Sequence, residues 1–535
     1  MWNRRLALLL GVLIAVRVLF IAFAPLDLSP DEAYYWDWSR HLDWGYYSKP
    51  PMIAWIIAAG TSIFGNNAMG VRLPAAILAT LGVLAVYLLG RRLFGAKAGF
   101  LAALATAFMP GSCVLGFAMT IDAPLIFSWA WAMYATWLAL EKKGYERDQG
   151  TACWWWTASG VFTGLGILSK QTMLAFPPFV FLFLILEPDY RKRLLTPWPY
   201  LAFIISLAPL GPVIWWNYRH GWITLEHTAH HFEMGSRSYF TFLKTLPDFI
   251  LSQLGLISPV TWILSMITSY YILFMALKRH ISKKNGNVAI TSPTLYLAVL
   301  SAAPIALTTL LSLKQRVNGN WPAPFYLGSS VLLGGWAAEV LNLTPWIDRF
   351  RRLFKPGLIL GASMCAILYI IPWAACITNL DKGRIDLTAE LRGWRELGIT
   401  LGEIAKKNPV REMLIIGTKR QLTSELAFYV PGQPRTYRWA GEQSKVKSQY
   451  ELWHGPCDKI GHDAIIVTYA DEQLPQDIKG YFKEIRPLYY LRPAKNGFNL
   501  YLGKGLIDWP GCSASKVQGR YLQPGQQPLA DQVYR

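Results

Sequence analysis

Apolar blocks of roughly 20 residues recur along the first 380 residues of this chain, and they restrict its fold more than any other feature. At 1.5 Å per helical residue, such a block crosses a hydrocarbon core of about 30 Å. A bilayer core offers no water to exposed peptide groups, so each crossing must be helical. About eleven crossings are expected, at 6–24, 71–90, 98–116, 123–140, 154–168, 172–187, 199–217, 254–277, 294–313, 323–342 and 357–378. Only 16% of the 535 residues are charged, against about 25% in a soluble domain. The first block follows Arg4 and Arg5 as a signal peptide would. No small-residue cleavage site follows it and further apolar blocks do, so it is expected to stay as a helix.

The loops fix the topology. Arg4 and Arg5, Arg91 and Arg92 with Lys97, Lys142 and Lys143, Arg191 to Arg193, Lys278 with Arg279, and Arg349 to Lys355 fall in alternate loops. Basic loops stay in the cytoplasm, so the amino terminus is expected inside and the tail outside. The net charge of +19 is explained by this placement and calls for no nucleic acid. The expected organisation is an α-helical polytopic membrane domain over 1–379, with outer loops 25–70 and 218–253, and a C-terminal soluble α/β domain over 380–535 on the outer side. In that tail, 412–417 (EMLIIG) and 463–468 (DAIIVT) read as strands and 388–407 as a helix. Cys457 and Cys512 both lie there and could pair in an oxidising compartment. The other cysteines read as small apolar fillers, and neither a zinc-type spacing nor a P-loop occurs.

Outer-side charges need separate explanation. Ser29-Pro30-Asp31-Glu32 has the form of a capping box, with Pro30 at the first helical position and Glu32 reaching back. That accounts for Glu32 without chemistry, though a catalytic part for it stays open. A capping box does not need Asp31, which is placed to take a proton from a hydroxyl beside it. Lys49-Pro50-Pro51 opens a short helix, and a lysine beside a helix N-terminus suits a phosphate; snorkelling to headgroups is the plainer alternative. Asp122, in Thr120-Ile-Asp-Ala-Pro124, stands at the start of another helix, as a catalytic acid or a cap. Lys170 sits in a short outer turn, and Lys314 and Arg316 close a helix just before Asn318-Gly-Asn-Trp-Pro322. Basic residues on the side that the topology rule leaves poor in them suggest an anionic ligand. His227, His230 and His231 share a helix face, either as a metal site or as part of an interfacial helix. Tyr34, Tyr35, Tyr46 and Tyr47, with Trp36, Trp38 and Trp44, suit an interfacial belt or stacking on sugar rings.

Taken together, Asp31-Glu32, Lys49-Pro50-Pro51, Asp122-Ala-Pro124 and Leu168-Ser-Lys170 resemble the family 39 membrane glycosyltransferases. These include the protein O-mannosyltransferases and the bacterial aminoarabinose transferases of lipid A, which share the GT-C fold. The resemblance covers roughly residues 1–260 with clear motifs. It implies transfer of a sugar from a polyprenyl-phosphate carrier to an envelope lipid, glycan or protein acceptor at the outer face of a bacterial inner membrane. In that scheme Asp31 activates the acceptor, Lys49 binds the carrier phosphate and Asp122 is the second acid. Lys170, the tyrosines, His227, Lys314 and Arg316 are candidate substrate contacts. The aminoarabinose transferases tend to carry Arg where this chain has Tyr34, and Glu where it has Ser48. Those departures leave the sugar, the acceptor and any divalent metal unassigned. The rival reading is a transporter or flippase for a lipid-linked or anionic substrate; it would favour inverted repeats and charges in mid-span, and the sequence shows neither. A receptor or assembly protein working through its tail is a third.

Overall fold

The computed structural model describes residues 1–141, 149–233, 242–282, 291–378, 388–407, 413–441, 445–493 and 497–512. The chain divides into two compact units. The first comprises 1–24, 49–213 and 229–374; the second comprises 25–48, 214–228 and 375–535. Residues 25–48 and 214–228 thus belong to the same unit as the C-terminal residues.

The first unit is helical. Among the described residues, seven helices are long and apolar enough to cross a membrane, or eight if one pair bent by 111° counts as a single span. All eleven expected crossings coincide with helix, but four fall outside the seven. The block at 98–116 is cut because Ala96–Ala107 ends before Pro110, which opens the short helix Pro110–Val114. The block at 172–187 is the bent pair, broken at Glu187 before Pro188. At 323–342 only Tyr326–Ala337 is α-helical, and 154–168 falls within Gln149–Ile167. Where a long helix does form, its ends follow local rules. Ala68–Phe94 begins under an Asn67 side chain that accepts from Gly70 N. It ends on Arg91 and Arg92 and stops at Gly95, whose φ is 90°.

Burial sorts these helices. Trp2–Phe23 is 22% buried across its apolar window and turns Leu8, Val12, Leu19 and Phe23 outward, as a lipid-facing helix does. Asp122–Leu140 is 72% buried. Its Trp129 packs on Phe176 and Phe325, and Trp137 on Tyr296. A polar residue at the start of this central helix is therefore held inside the bundle rather than at its rim.

The second unit contains a five-stranded sheet ordered β2-β1-β3-β5-β4. Strands β1 (Leu414–Gly417), β2 (Thr436–Arg438) and β3 (Ala464–Tyr469) are parallel, while β5 (Phe498–Leu506) runs antiparallel to β3 and β4 (Phe482–Leu491). The apolar runs of β1 and β3 are continuous because both sheet faces are covered. Ile415, Ile465 and Val467 pack with Trp394, Leu397, Leu422 and Leu426 on one face. Leu414, Ile416, Ala464 and Ile466 pack with Tyr437, Trp439 and Ile478 on the other. Helices Trp394–Lys406 and Arg420–Tyr429 cover the first face. Cys457 and Cys512 are disulfide-bonded, closing 55 residues of chain.

Candidate active site

In the first unit the functional candidates gather where short turns meet the central helix. Asp122 is the first residue of Asp122–Leu140, and Ile121, not Asp122, is its N-cap. The Asp122 side chain therefore does not serve as the cap. Its Oδ1 accepts from Lys170 Nζ at 2.8 Å, and its Oδ2 from Asn320 Nδ2 at 2.7 Å. Asp122 is 5% and Lys170 9% exposed. A buried ammonium needs a counter-ion, and Asp122 supplies it. Backbone geometry holds Lys170 in place: its N–H donates to Gly166 O at 2.9 Å. A Cβ on Gly166 would come within 2.6 Å of Met173 Cγ, so a larger residue there would displace the Met173 side chain.

The same turn reaches the Lys49 motif. Met52 N donates to Leu168 O at 3.1 Å, joining the start of Met52–Phe64 to the Lys170 turn. Lys49 precedes that start by three residues and is half-buried. Lys49, Asp122 and Lys170, far apart in sequence, thus converge on one region of the bundle. Asn320 is fixed from behind by a relay of polar groups. Trp262 Nε1 donates to Tyr326 OH, Tyr326 OH to Gln253 Oε1, and Gln253 Nε2 to Gly319 O. Lys314 and Arg316 are exposed, on the segment between Ala302–Ser312 and Asn320.

The second unit holds the first-loop acids. Pro30–Ser39 opens with the expected capping box: Glu32 N donates to Ser29 Oγ at 3.3 Å, and Ser29 N to Glu32 Oε2 at 2.9 Å. Glu32 is 1% exposed, so its carboxylate is occupied in holding the helix start. The Asp31 side chain is 56% exposed, and its Oδ1 accepts from Arg420 Nη1 at 2.8 Å. The Arg420 guanidinium also lies 4.7 Å from the ring centroid of Tyr34.

The aromatic candidates are mostly framework. Tyr34, Tyr35 and Tyr46 are 2%, 6% and 0% exposed, which leaves no ring face open to a sugar. Tyr34 packs edge-on against Trp38, and its hydroxyl accepts from Gln449 N. Tyr46 stacks on Trp38 and donates to His41 O. Burial pushes both phenol pKa values up, so both stay neutral. Tyr47 is half-buried, with its ring 4.8 Å from that of His227. Gly45 is needed beside them, since a Cβ there would meet the Trp216 indole at 2.7 Å. His227 lies on helix Ile223–Glu233, but the side chains of His230 and His231 lie outside the described residues. Among the described residues no group of three or more His, Cys, Asp or Glu side chains could hold a metal ion.

Three side-chain partnerships were not read from the sequence. Asn320 stood in a motif already noted, but nothing local tied it to Asp122. Arg420 lies 389 residues from its partner. Arg17, inside the first apolar block, corrects the expectation that no charge lies in mid-span. It is 1% exposed and donates to Thr80 Oγ1 at 2.6 Å, pinning two long helices together.

Residues 48–216 match a family described as dolichyl-phosphate-mannose-protein mannosyltransferase. The chain is 28% identical over 320 residues to the lipid A galacturonosyltransferase RgtD of Rhizobium johnstonii, covering 59% of this chain and 62% of that one. It is 31% identical over 222 residues to the undecaprenyl phosphate-alpha-4-amino-4-deoxy-L-arabinose arabinosyl transferase of Pseudomonas savastanoi, covering 38% and 40%. The chain therefore spans less than two thirds of the length of these relatives. Over nearly the whole chain it superposes on ArnT from Cupriavidus metallidurans in the apo state, with a TM-score of 0.62, 16% identity, and coverage of 94% and 98%. At that identity the likeness establishes the fold. The chain thus shares the fold of ArnT, and residues 48–216 are similar to the mannosyltransferase family.

Proposed function

We propose that this protein is an inverting glycosyltransferase that moves a sugar from a polyprenyl-phosphate carrier to lipid A or a related envelope acceptor. The observation that carries this reading is the buried Asp122–Lys170 pair, fastened to the Lys49 turn within the segment that matches the mannosyltransferase family. Charges inside an apolar bundle are costly, so a cluster retained at the helix starts favours a working role over a structural one. The names of the relatives point the same way, one carrying lipid A and the other an undecaprenyl phosphate sugar.

The chemistry follows from the residues. A hydroxyl or phosphate oxygen of the acceptor attacks the anomeric carbon, and Asp31 takes the hydroxyl proton. The bond from that carbon to the carrier phosphate breaks, and the electron pair leaves with polyprenyl phosphate. Lys49 neutralises the charge that develops there. Attack opposite the leaving group inverts the anomeric centre, so one carboxylate suffices, unlike the pair of a glycosidase. Asp122 has both oxygens engaged, which suits it to fixing Lys170 and Asn320 rather than to accepting a proton. The site and tail face the periplasm in this reading. Support comes from the alternating basic loops and from the Cys457–Cys512 disulfide, which persists in an oxidising compartment.

The test is mass spectrometry of lipid A and other envelope lipids and glycans from cells with and without the protein. A mass increment of one glycosyl residue, present only with the protein, is expected. Identical envelope profiles would overturn the reading.

A further inference from the structure

The tail's contribution to the first outer loop can be read residue by residue. Helix Arg420–Tyr429 follows β1 directly and lies along Pro30–Ser39. Ser424 Oγ donates to Pro30 O at 3.2 Å, and Leu28 N donates to Tyr429 OH at 2.6 Å. Phe428 meets the Trp36 ring edge-on at 4.8 Å. Farther along, Tyr450 OH donates to Asp37 Oδ2 at 2.8 Å, and Gln449 Oε1 accepts from Tyr47 N at 2.7 Å. These contacts hold the segment from Leu28 to Tyr47. Among the described residues, Arg420 alone bonds the Asp31 side chain.

The geometry of that one contact is informative. Arg420 grips a single oxygen, Oδ1. Among the described residues Oδ2 has no hydrogen-bond partner, and just over half of the side chain faces outward. A forked guanidinium–carboxylate pair would occupy both oxygens. A one-oxygen grip instead anchors Oδ1 and leaves the other oxygen to a substrate. Arg420 is itself braced: its side chain is 25% exposed and its guanidinium lies over the Tyr34 ring. Tyr34 in turn is held by the Gln449 backbone and the Trp38 ring.

We infer that Arg420 is the positioning residue for Asp31, both within the second unit. This rests on the proposed base role of Asp31. Arg420 touches no reacting atom; it orients the carboxylate that does.

The test uses the full chain in cell membranes, with lipid A glycosylation by the endogenous donor as the readout. Arg420→Ala is expected to lower the initial rate of modification at least tenfold. Arg420→Lys, which keeps a cation beside Oδ1, is expected to stay within a few-fold of the parent. Added guanidinium ion is expected to restore part of the Arg420→Ala rate in isolated membranes, a rescue that a merely structural role would not give. Tyr429→Phe cuts a neighbouring bond from the same helix to Leu28 N, just before the loop helix, without touching Asp31, and is expected to keep the parent rate. Near-parent activity in Arg420→Ala, or equal losses in Arg420→Ala and Tyr429→Phe, would overturn the inference. Asp31→Asn separates the two levels. If it leaves the product unchanged, the base reading of Asp31 is wrong. If it abolishes product while Arg420→Ala does not, only the role of Arg420 is wrong.

Discussion

Replacing Asp122 by Asn removes the counter-ion of a lysine that is 9% exposed inside a helix bundle. The amide has one acceptor where the carboxylate has two, yet both Lys170 and Asn320 donate toward it. One donor is left facing an NH2 group, and the ammonium is left uncompensated. Breaking a buried pair from one side costs about 3–5 kcal/mol. At about 2 °C per kcal/mol for a large domain, the melting temperature in detergent falls on the order of 6–10 °C. Lys170→Met is expected to cost a similar amount, since it orphans the carboxylate. The double variant Asp122→Asn with Lys170→Met buries no net charge and is expected to cost well under the sum of the two. Thermal unfolding of all four proteins gives the coupling energy. An Asp122→Asn protein that melts with the parent, or a double variant as unstable as the sum of the singles, would refute the claim that these residues act as a buried pair.

Two further outcomes follow from the same geometry. Lys49→Ala removes the charge assigned to the carrier phosphate, so KM for the lipid-linked donor is expected to rise about tenfold or more; a KM equal to the parent's would remove Lys49 from donor binding. Burial raises the pKa of Asp37, partly offset by Arg40 and the Tyr450 hydroxyl. A raised carboxyl favours its protonated form in the fold, so its contribution is complete below its ordinary 3.8 and is lost as pH rises through the raised value. Stability of the parent relative to Asp37→Asn is therefore expected to fall as pH rises above Asp37's ordinary 3.8; thermal melts with a pH-independent difference would contradict this.

The parts of this molecule that were legible in the sequence are those fixed by neighbours along the chain. The capping box at Ser29 and Glu32 is a three-residue spacing, and it forms as read. The apolar runs located helix at each expected crossing, but not the breaks before Pro110 and Pro188, which turn single blocks into two pieces. Strands β1 and β3 were visible as continuous apolar runs. The hairpin of β4 and β5 was not, because β4 is an edge strand carrying Lys483, Glu484, Arg486 and Pro487, which read as loop. Side-chain partnerships were the least legible. Asp122 was taken singly and so was Lys170, 48 residues away, and a snorkelling lysine and a buried paired one look alike in a list of letters. The tyrosines looked like sugar platforms for the same reason. Only packing shows that Tyr34 and Tyr46 spend their faces on Trp38.

The central claim is that a sugar leaves a polyprenyl phosphate for an envelope lipid under the action of Asp31. Reconstituting the purified protein in vesicles with a sugar-labelled undecaprenyl phosphate donor and lipid A tests it most directly. Label is expected to pass to lipid A without any ion gradient, with one polyprenyl phosphate released per transfer, and Asp31→Asn is expected to lose nearly all of the rate. Movement of intact donor lipid across the vesicle membrane with no label in lipid A, or an Asp31→Asn protein as fast as the parent, would contradict the account.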